Sequence, residues 1–348
     1  MKKLIQIISG FIILSIFTSY TYSQNLPTWQ RAYRDLTVSP PESIGHDAIQ
    51  LNDGSFLVFA LRASGWIPDT TLKNKFFSNI KFPSKWIYVP NCAFILKLNS
   101  YGDVIDTTHI SRYLPYTCAK TLDDGCIFMG SIDTVSSDEM HATKVNSSGK
   151  LIWKRIYSNT ASSACIKMIR TSDNKFLGCG NVNYTDSYII KIDSNGNRLW
   201  QKNYTKGFRN QYYALCESTN KNYIAIGNYS QTETSPIIGY ITKFDTSGNI
   251  LSEKEYSYNN QHFMIKAIGK MSAKYLLSGE YYDSIACKGF VAFLIINESG
   301  EVLSQKSFPG YPDLSVVNAD CQIINENKFL LLNRKYRFSA PTYDNSYV

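Results

Sequence analysis

Histidine is scarce in this chain: His46, His109, His141 and His262 are the only four in 348 residues, and their spacing suits no metal site. The sequence has no HExxH, no phosphate-binding loop and no nucleophile elbow, so the motif-borne forms of metalloprotease, nucleotide and esterase chemistry are excluded. Asp193-x-Asn195-x-Asn197 opens like a calcium loop but lacks the central glycine and distal glutamate. The eight cysteines (Cys92, Cys118, Cys126, Cys165, Cys179, Cys216, Cys287 and Cys321) include no C-x-x-C pair. They are scattered, and Cys118 and Cys321 fall at one small apolar repeat position, so the reading favours free, buried thiols. The formal charge of +8 is spread without a basic block, which argues against nucleic acid and leaves acidic polymers or plain solubility. Beyond the N-terminus no apolar run is long enough to cross a bilayer, so the chain is not expected to be an integral membrane protein. A helical period is also missing.

The N-terminus reads as an export signal: Lys2 and Lys3, a short apolar run from Ile5 to Phe17, then small residues at Thr21-Tyr22-Ser23. Residues 1–23 are expected to be removed, leaving 24–348 as a single domain outside the cytoplasm (periplasm, cell surface or medium).

What fills that domain is a repeat. Gly102, Gly149, Gly196, Gly248 and Gly300 each close an Asp/Asn-x-x-Gly turn between two β-rich runs. The clearest copies are Tyr188–Tyr204 and Tyr240–Tyr256. A period of about 50 residues marks a repeat architecture. A second hairpin alternates with the first; its copies include Ala48–Ala60 and Cys118–Gly130. The expectation is all-β: a β-propeller of six four-stranded blades, strands a to d running from the axis outward. The second hairpin supplies a and b, and the glycine-turn hairpin supplies c and d. Trp29-Gln-Arg-Ala-Tyr33 matches Trp200-Gln-Lys-Asn-Tyr204 and would supply the outer strand of the last blade. Tyr347-Val348 begins a c strand, so a longer natural chain would allow a seventh blade.

The signal ending in Ser23-Gln24, the Trp-x-x-x-Tyr that follows and the Lys-x-Asp-x-x-Gly-x-x-x-Trp repeats resemble secreted β-propeller proteins of Bacteroidetes-type bacteria. That resemblance implies location and fold more than activity. The C-terminal sorting domain common in that group has no counterpart in this sequence. Asp193-x-x-Gly196-x-x-x-Trp200 is also similar to the tryptophan-docking repeat of pyrroloquinoline quinone dehydrogenases, with a turn one residue shorter. Only Trp153 and Trp200, with Trp29, keep the tryptophan, so it reads as an aromatic between blades, and no cofactor is expected. The likeness to sialidase Asp-boxes is looser still.

Binding is expected in the variable b–c loops. The longest, 61–92, carries Trp66, Phe76, Phe77 and Trp86 among Lys73 and Lys85; Tyr184, Tyr229 and Tyr281 belong to later loops. Thirteen residues before the closing residue of the six a–b hairpins stand Asp47, Thr117, Lys167, Ala214, Lys266 and Asp320; the four charged ones are placed at the channel mouth as an ion network or, alternatively, with Asp47 and Asp320 binding a cation or acting as acid and base. The reading that follows is a non-enzymatic module for a glycan or surface protein, without assigned catalytic or metal residues. The alternative is a polysaccharide lyase or glycoside hydrolase using the mouth carboxylates.

Overall fold

The computed structural model describes residues 6–8, 11–13, 32–33, 43–62, 65–68, 86–89, 92–111, 113–133, 138–157, 163–183, 185–283, 288–309, 314–325 and 328–337. All regular structure there is β. Five four-stranded antiparallel meanders follow in order, labelled sheets 1 to 5, each with strands a, b, c and d in sequence order; the fourth and fifth run on into each other as one eight-stranded sheet. Sheet 1 is Ser43–Gln50, Phe56–Arg62, Cys92–Leu98 and Val104–Ser111. Sheet 2 is Tyr113–Lys120, Cys126–Asp133, Asp138–Val145 and Leu151–Ile156. Sheet 3 is Ser163–Arg170, Phe176–Val182, Asp186–Ile192 and Arg198–Tyr204. Sheet 4 is Arg209–Glu217, Tyr223–Ser230, Ile238–Phe244 and Ile250–Tyr258. Sheet 5 is Gln261–Met271, Lys274–Asp283, Lys288–Asn297 and Val302–Pro309. Among the described residues sheet 6 comprises strands a and b, Leu314–Asn325 and Lys328–Arg337. The two hairpin types read from the sequence thus alternate as expected.

The glycine turns form for local reasons. In Asp245–Asn249 the aspartate Oδ1 accepts the amides of Ser247 and Asn249 at 2.9 and 2.8 Å. Gly248 then takes φ +79°, a region that costs residues with a Cβ about 1–2 kcal/mol. Sheets 4 and 5 are joined by a tighter turn, Asn259-Asn260, both at positive φ. Asparagine tolerates that conformation best after glycine.

Two compact units divide the chain: 1–165 with the turn 194–197, and 166–193 with 198–348. In the first, Leu57, Phe59, Ile95, Cys126 and Phe128 form one core cluster. In the second, Leu177, Ile189, Tyr212, Tyr223 and Tyr240 form another, and Ile226, Phe263, Ile265 and Leu277 a third. Strand b is buried along its whole length in sheets 3 and 4, whereas strand d is mostly exposed. That gradient explains why the b strands read as continuous apolar runs. Cys118, Cys126, Cys165 and Cys179 are buried free thiols, and Cys216 and Cys321 are free and half-buried, as expected for small core residues.

Two features depart from the sequence reading. Each characterised a–b pair carries a bulge midway along strand a, where His46, Tyr116, Tyr213, Lys266 and Ala319 are the extra residues. In sheet 5 the a–b turn is one residue shorter, so a fixed offset of thirteen lands on the bulge. Lys266 is therefore not the equivalent of Asp47; Ala267 is. The second feature is at the N-terminus. Ala32–Tyr33 does form a strand, but in this chain it pairs with Phe11–Ile13, which pairs in turn with Gln6–Ile8. The apolar run read from the sequence as an export signal supplies that partner.

Candidate functional site

The end of the sheets that carries the c–d turns is committed to the scaffold. Tyr157, Tyr204 and Tyr256 lie at or within two residues of the ends of their d strands, and each donates its hydroxyl to the carbonyl of a later turn glycine: Gly196 at 2.8 Å, Gly248 at 2.7 Å and Gly300 at 2.8 Å. Trp153 and Trp200 add indole bonds to the carbonyls of Ser194 and Thr246, at 3.3 and 3.1 Å. A Cβ on Gly196 or Gly248 would stand 2.9 Å from a tryptophan ring carbon. Gly196 and Gly248 are thus fixed twice, by φ and by an aromatic lid. The motif lysine is equally occupied. Lys144 pairs with Asp123 at 2.6 Å, and Lys97 donates to the Ser147 carbonyl at 2.8 Å. Lys191, buried, donates to Asp173 and to the Tyr223 hydroxyl at 2.8 and 2.7 Å.

The other end, where strands a begin and strands b finish, carries the insertions. The 61–92 loop opens as a hairpin, Gly65–Pro68 against Trp86–Val89, with Trp66 opposite Tyr88 and Trp86 opposite Pro68. Lys73, Phe76, Phe77, Lys85 and Tyr184 lie outside the described residues. Tyr229 and Tyr281 fall within strands b, and their rings are inside. Tyr229 donates to Glu255 at 2.5 Å and packs against Tyr240, while Tyr281 stacks on Tyr258 and Phe290 at 4.7 and 5.1 Å. As strand-end residues with covered faces they serve packing, contrary to the loop placement expected of them.

The mouth residues separate. Asp47 accepts the amides of Ala48 and Cys118, both at 2.9 Å, and so ties strand a of sheet 1 to that of sheet 2. Lys167 is half-buried on strand a of sheet 3. Asp320 follows the bulge of sheet 6, opposite Leu332. Lys266 meets two groups. Its Nζ sits 4.4 Å above the ring of Tyr213, the bulge residue of sheet 4, and 3.8 Å from Glu280 Oε1.

Glu280 is the residue that sequence reasoning missed. It lies within strand b of sheet 5, three residues before its end, with its side chain only 16% exposed. Desolvation holds its carboxyl above the usual carboxylate range, and Lys266 opposes the shift. The available signal was an acid closing the apolar run Tyr275-Leu-Leu-Ser-Gly-Glu280. Among the described residues no group of three or more His, Cys, Asp or Glu side chains comes together to hold a metal, and no helix is long and apolar enough to cross a membrane.

No family model and no curated protein matches this chain. Solved structures resemble it in backbone course. A Lactobacillus plantarum protein is 10% identical at a TM-score of 0.49, over 75% of this chain and 74% of that one. The Dos1 propeller is 10% identical at 0.47, over 80% and 64%. The periplasmic gluconolactonase of Pseudomonas aeruginosa is 10% identical at 0.42, over 81% and 82%. Identities this low assign no activity.

Proposed function

We propose that residues 24–348 form an exported six-bladed β-propeller that binds a glycan or a surface protein through the end bearing the b–c loops. Six a–b hairpins and five c–d hairpins in regular alternation support the six-blade reading, with Trp29–Tyr33 as the outer strand of the last blade once the first 23 residues are removed. The observation that carries the binding reading is the division of labour between the two strand ends. Tyrosine, tryptophan and lysine side chains at the c–d turns are spent on scaffold bonds. The opposite end holds the long hairpin insertion of 65–89, with Trp66 and Trp86 on its stem. Long insertions on a rigid frame commonly bind ligands.

The alternative reading as a polysaccharide-active enzyme loses support at Asp47, whose two oxygens are engaged by backbone amides. Replacing 69–85 by a short Gly-Ser turn, with the hairpin stem kept, tests the proposal. The variant should melt like the parent but lose retention on glycan arrays and on intact cells. Undiminished retention would refute the assignment.

A further inference from the structure

Between sheets 3 and 4 the indole of Trp200 fills a slot whose walls are set by register. Trp200 and Leu177 flank Lys191 on neighbouring strands, and Tyr223 stands opposite Phe244. The indole packs on that cluster, 6.4 Å from the Tyr223 ring, and its N–H donates to the Thr246 carbonyl. Sheets 4 and 5, in the same compact unit, repeat these walls position by position. Ser252 and Ile224 flank Lys243, and Tyr275 stands opposite Ile296. Ser252 thus takes the place of Trp200 and Ile296 that of Phe244. Both replacements remove bulk.

The slot stays open. Ile224, Ile241, Ile296, Tyr275, Lys243 and Lys254 line a pocket of about 20 Å³ beside Gly300, with Ser252 at its edge. That volume takes one water-sized group, so a ring would enter by its edge. Trp200 lodges in the same way, half-buried. Ile224, Ile241, Ile296 and Tyr275 are buried and make the floor, whereas Ser252 and Lys254 are exposed at the mouth. A Cβ on Gly300 would meet the Tyr256 hydroxyl and Lys254 Cδ, where one on Gly248 meets the Trp200 ring. Covering such a floor with an aromatic ring is favourable, as it is for the indole next door.

Charge separates the two slots. Lys191 is drawn to Asp173 and the Tyr223 hydroxyl. The matching turn residue in sheet 4 is Asn220, whose amide offers an ammonium no counter-charge. Lys243 instead donates to the carbonyl of Glu298, the counterpart of Thr246. An ammonium therefore stands where the indole N–H stood. Lys254 adds a second cation, 5.9 Å from the Tyr256 ring. The neighbouring acids are engaged by other groups. Glu298 accepts from Thr219 and Tyr275, and Glu301 from the Asn297 side chain. Glu253 and Glu255 alternate with Lys254 along strand d and accept from Thr242 and Tyr229. An anionic group at the mouth would meet both ammoniums, and a cationic one would be repelled.

We propose that this slot binds a small aromatic acid, its ring against Ile224, Ile241 and Tyr275 and its carboxylate at Lys243 and Lys254. The site lies at the c–d turn end and is independent of the loop reading above.

Calorimetric titration of the intact chain with indole-3-acetate, indole and tryptamine tests it, since the three share a ring and differ in charge. Indole-3-acetate should bind best and tryptamine worst. Ser252→Trp should abolish binding by filling the slot from within, and its melt should match or exceed that of the parent, because Trp200 already serves that place next door. Lys254→Gln, at an exposed position, should weaken indole-3-acetate about two- to fivefold and leave indole unchanged. Indole-3-acetate binding that survives Ser252→Trp, equal binding of the three compounds, or no binding by the intact chain overturns the proposal. Should Ser252→Trp lower the melt, Lys254→Gln decides: an unchanged indole-3-acetate affinity overturns it.

Discussion

Gly248→Ala tests the aromatic lid on the glycine turns. Two costs are separable at that position. The residue sits at φ +79°, so any Cβ costs about 1–2 kcal/mol from backbone strain alone. The new Cβ would also stand 2.9 Å from Trp200 Cζ3 and 3.0 Å from Cη2. The indole must move, and its bond to the Thr246 carbonyl at 3.1 Å goes with it. A lost hydrogen bond adds about 0.5–1.5 kcal/mol. The expected total is roughly 1.5–3.5 kcal/mol. Gly149 occupies the same turn position at φ +80°, but its Cβ would meet only ordinary contacts at 3.7–3.9 Å. Gly149→Ala should therefore cost only the strain, about 1–2 kcal/mol. The decisive measurement is a double-mutant cycle by urea unfolding, because it stays within one compact unit. In a Trp200→Ala background, Gly248→Ala should fall to the Gly149→Ala value, leaving a coupling of about 0.5–1.5 kcal/mol. Equal costs in both backgrounds would show that the indole does not rest on the glycine, and the lid reasoning would be wrong.

The other predictions concern titratable groups in the scaffold. Burial holds His141 down to about 3, aided by Lys154, so the folded chain stays neutral there while the unfolded chain takes a proton near 6.5. Stability should then fall below pH 6.5 by up to about 1.4 kcal/mol per pH unit, and urea midpoints of His141→Leu should lose that slope. Lys191→Met removes bonds to Asp173 and Tyr223 at a buried site and should cost about 1.5–3 kcal/mol in urea unfolding. Burial pushes the Asp173 carboxyl up, but hydrogen bonds from Lys191 and Thr171 win and lower it. Its contribution is therefore present above the ordinary aspartate value and lost as pH falls through the depressed one, and the Lys191→Met variant should lack that acid-side component. A parent and variant with the same stability difference at pH 3 and pH 7 would contradict the pairing.

The strands, the turns and the alternation of hairpins were legible because each depends on neighbours in sequence. Asp245 bonds amides two and four residues on, and Gly248 takes the φ that closes the turn. Burial of strand b on both faces shows as an unbroken apolar run in Tyr223-Ile-Ala-Ile. The lids were only half legible. The tryptophans and glycines stood at fixed spacing, but the indole of Trp200 meets a turn 46 residues away, and no local rule sets that contact.

The site was hidden for the same reason. One residue fewer in the a–b turn of sheet 5 moves Lys266 onto a bulge, where strand geometry aims it at Tyr213 and Glu280. Asp47 looked available as a mouth carboxylate until the amide of Cys118, 71 residues on, arrived at its Oδ2. Sequence determined which segments become strands and which residues can end them. Tertiary structure decided which polar side chains those strands consume and which they leave open, because a hydrogen bond depends on distances of a few tenths of an ångström between residues that the chain itself keeps far apart.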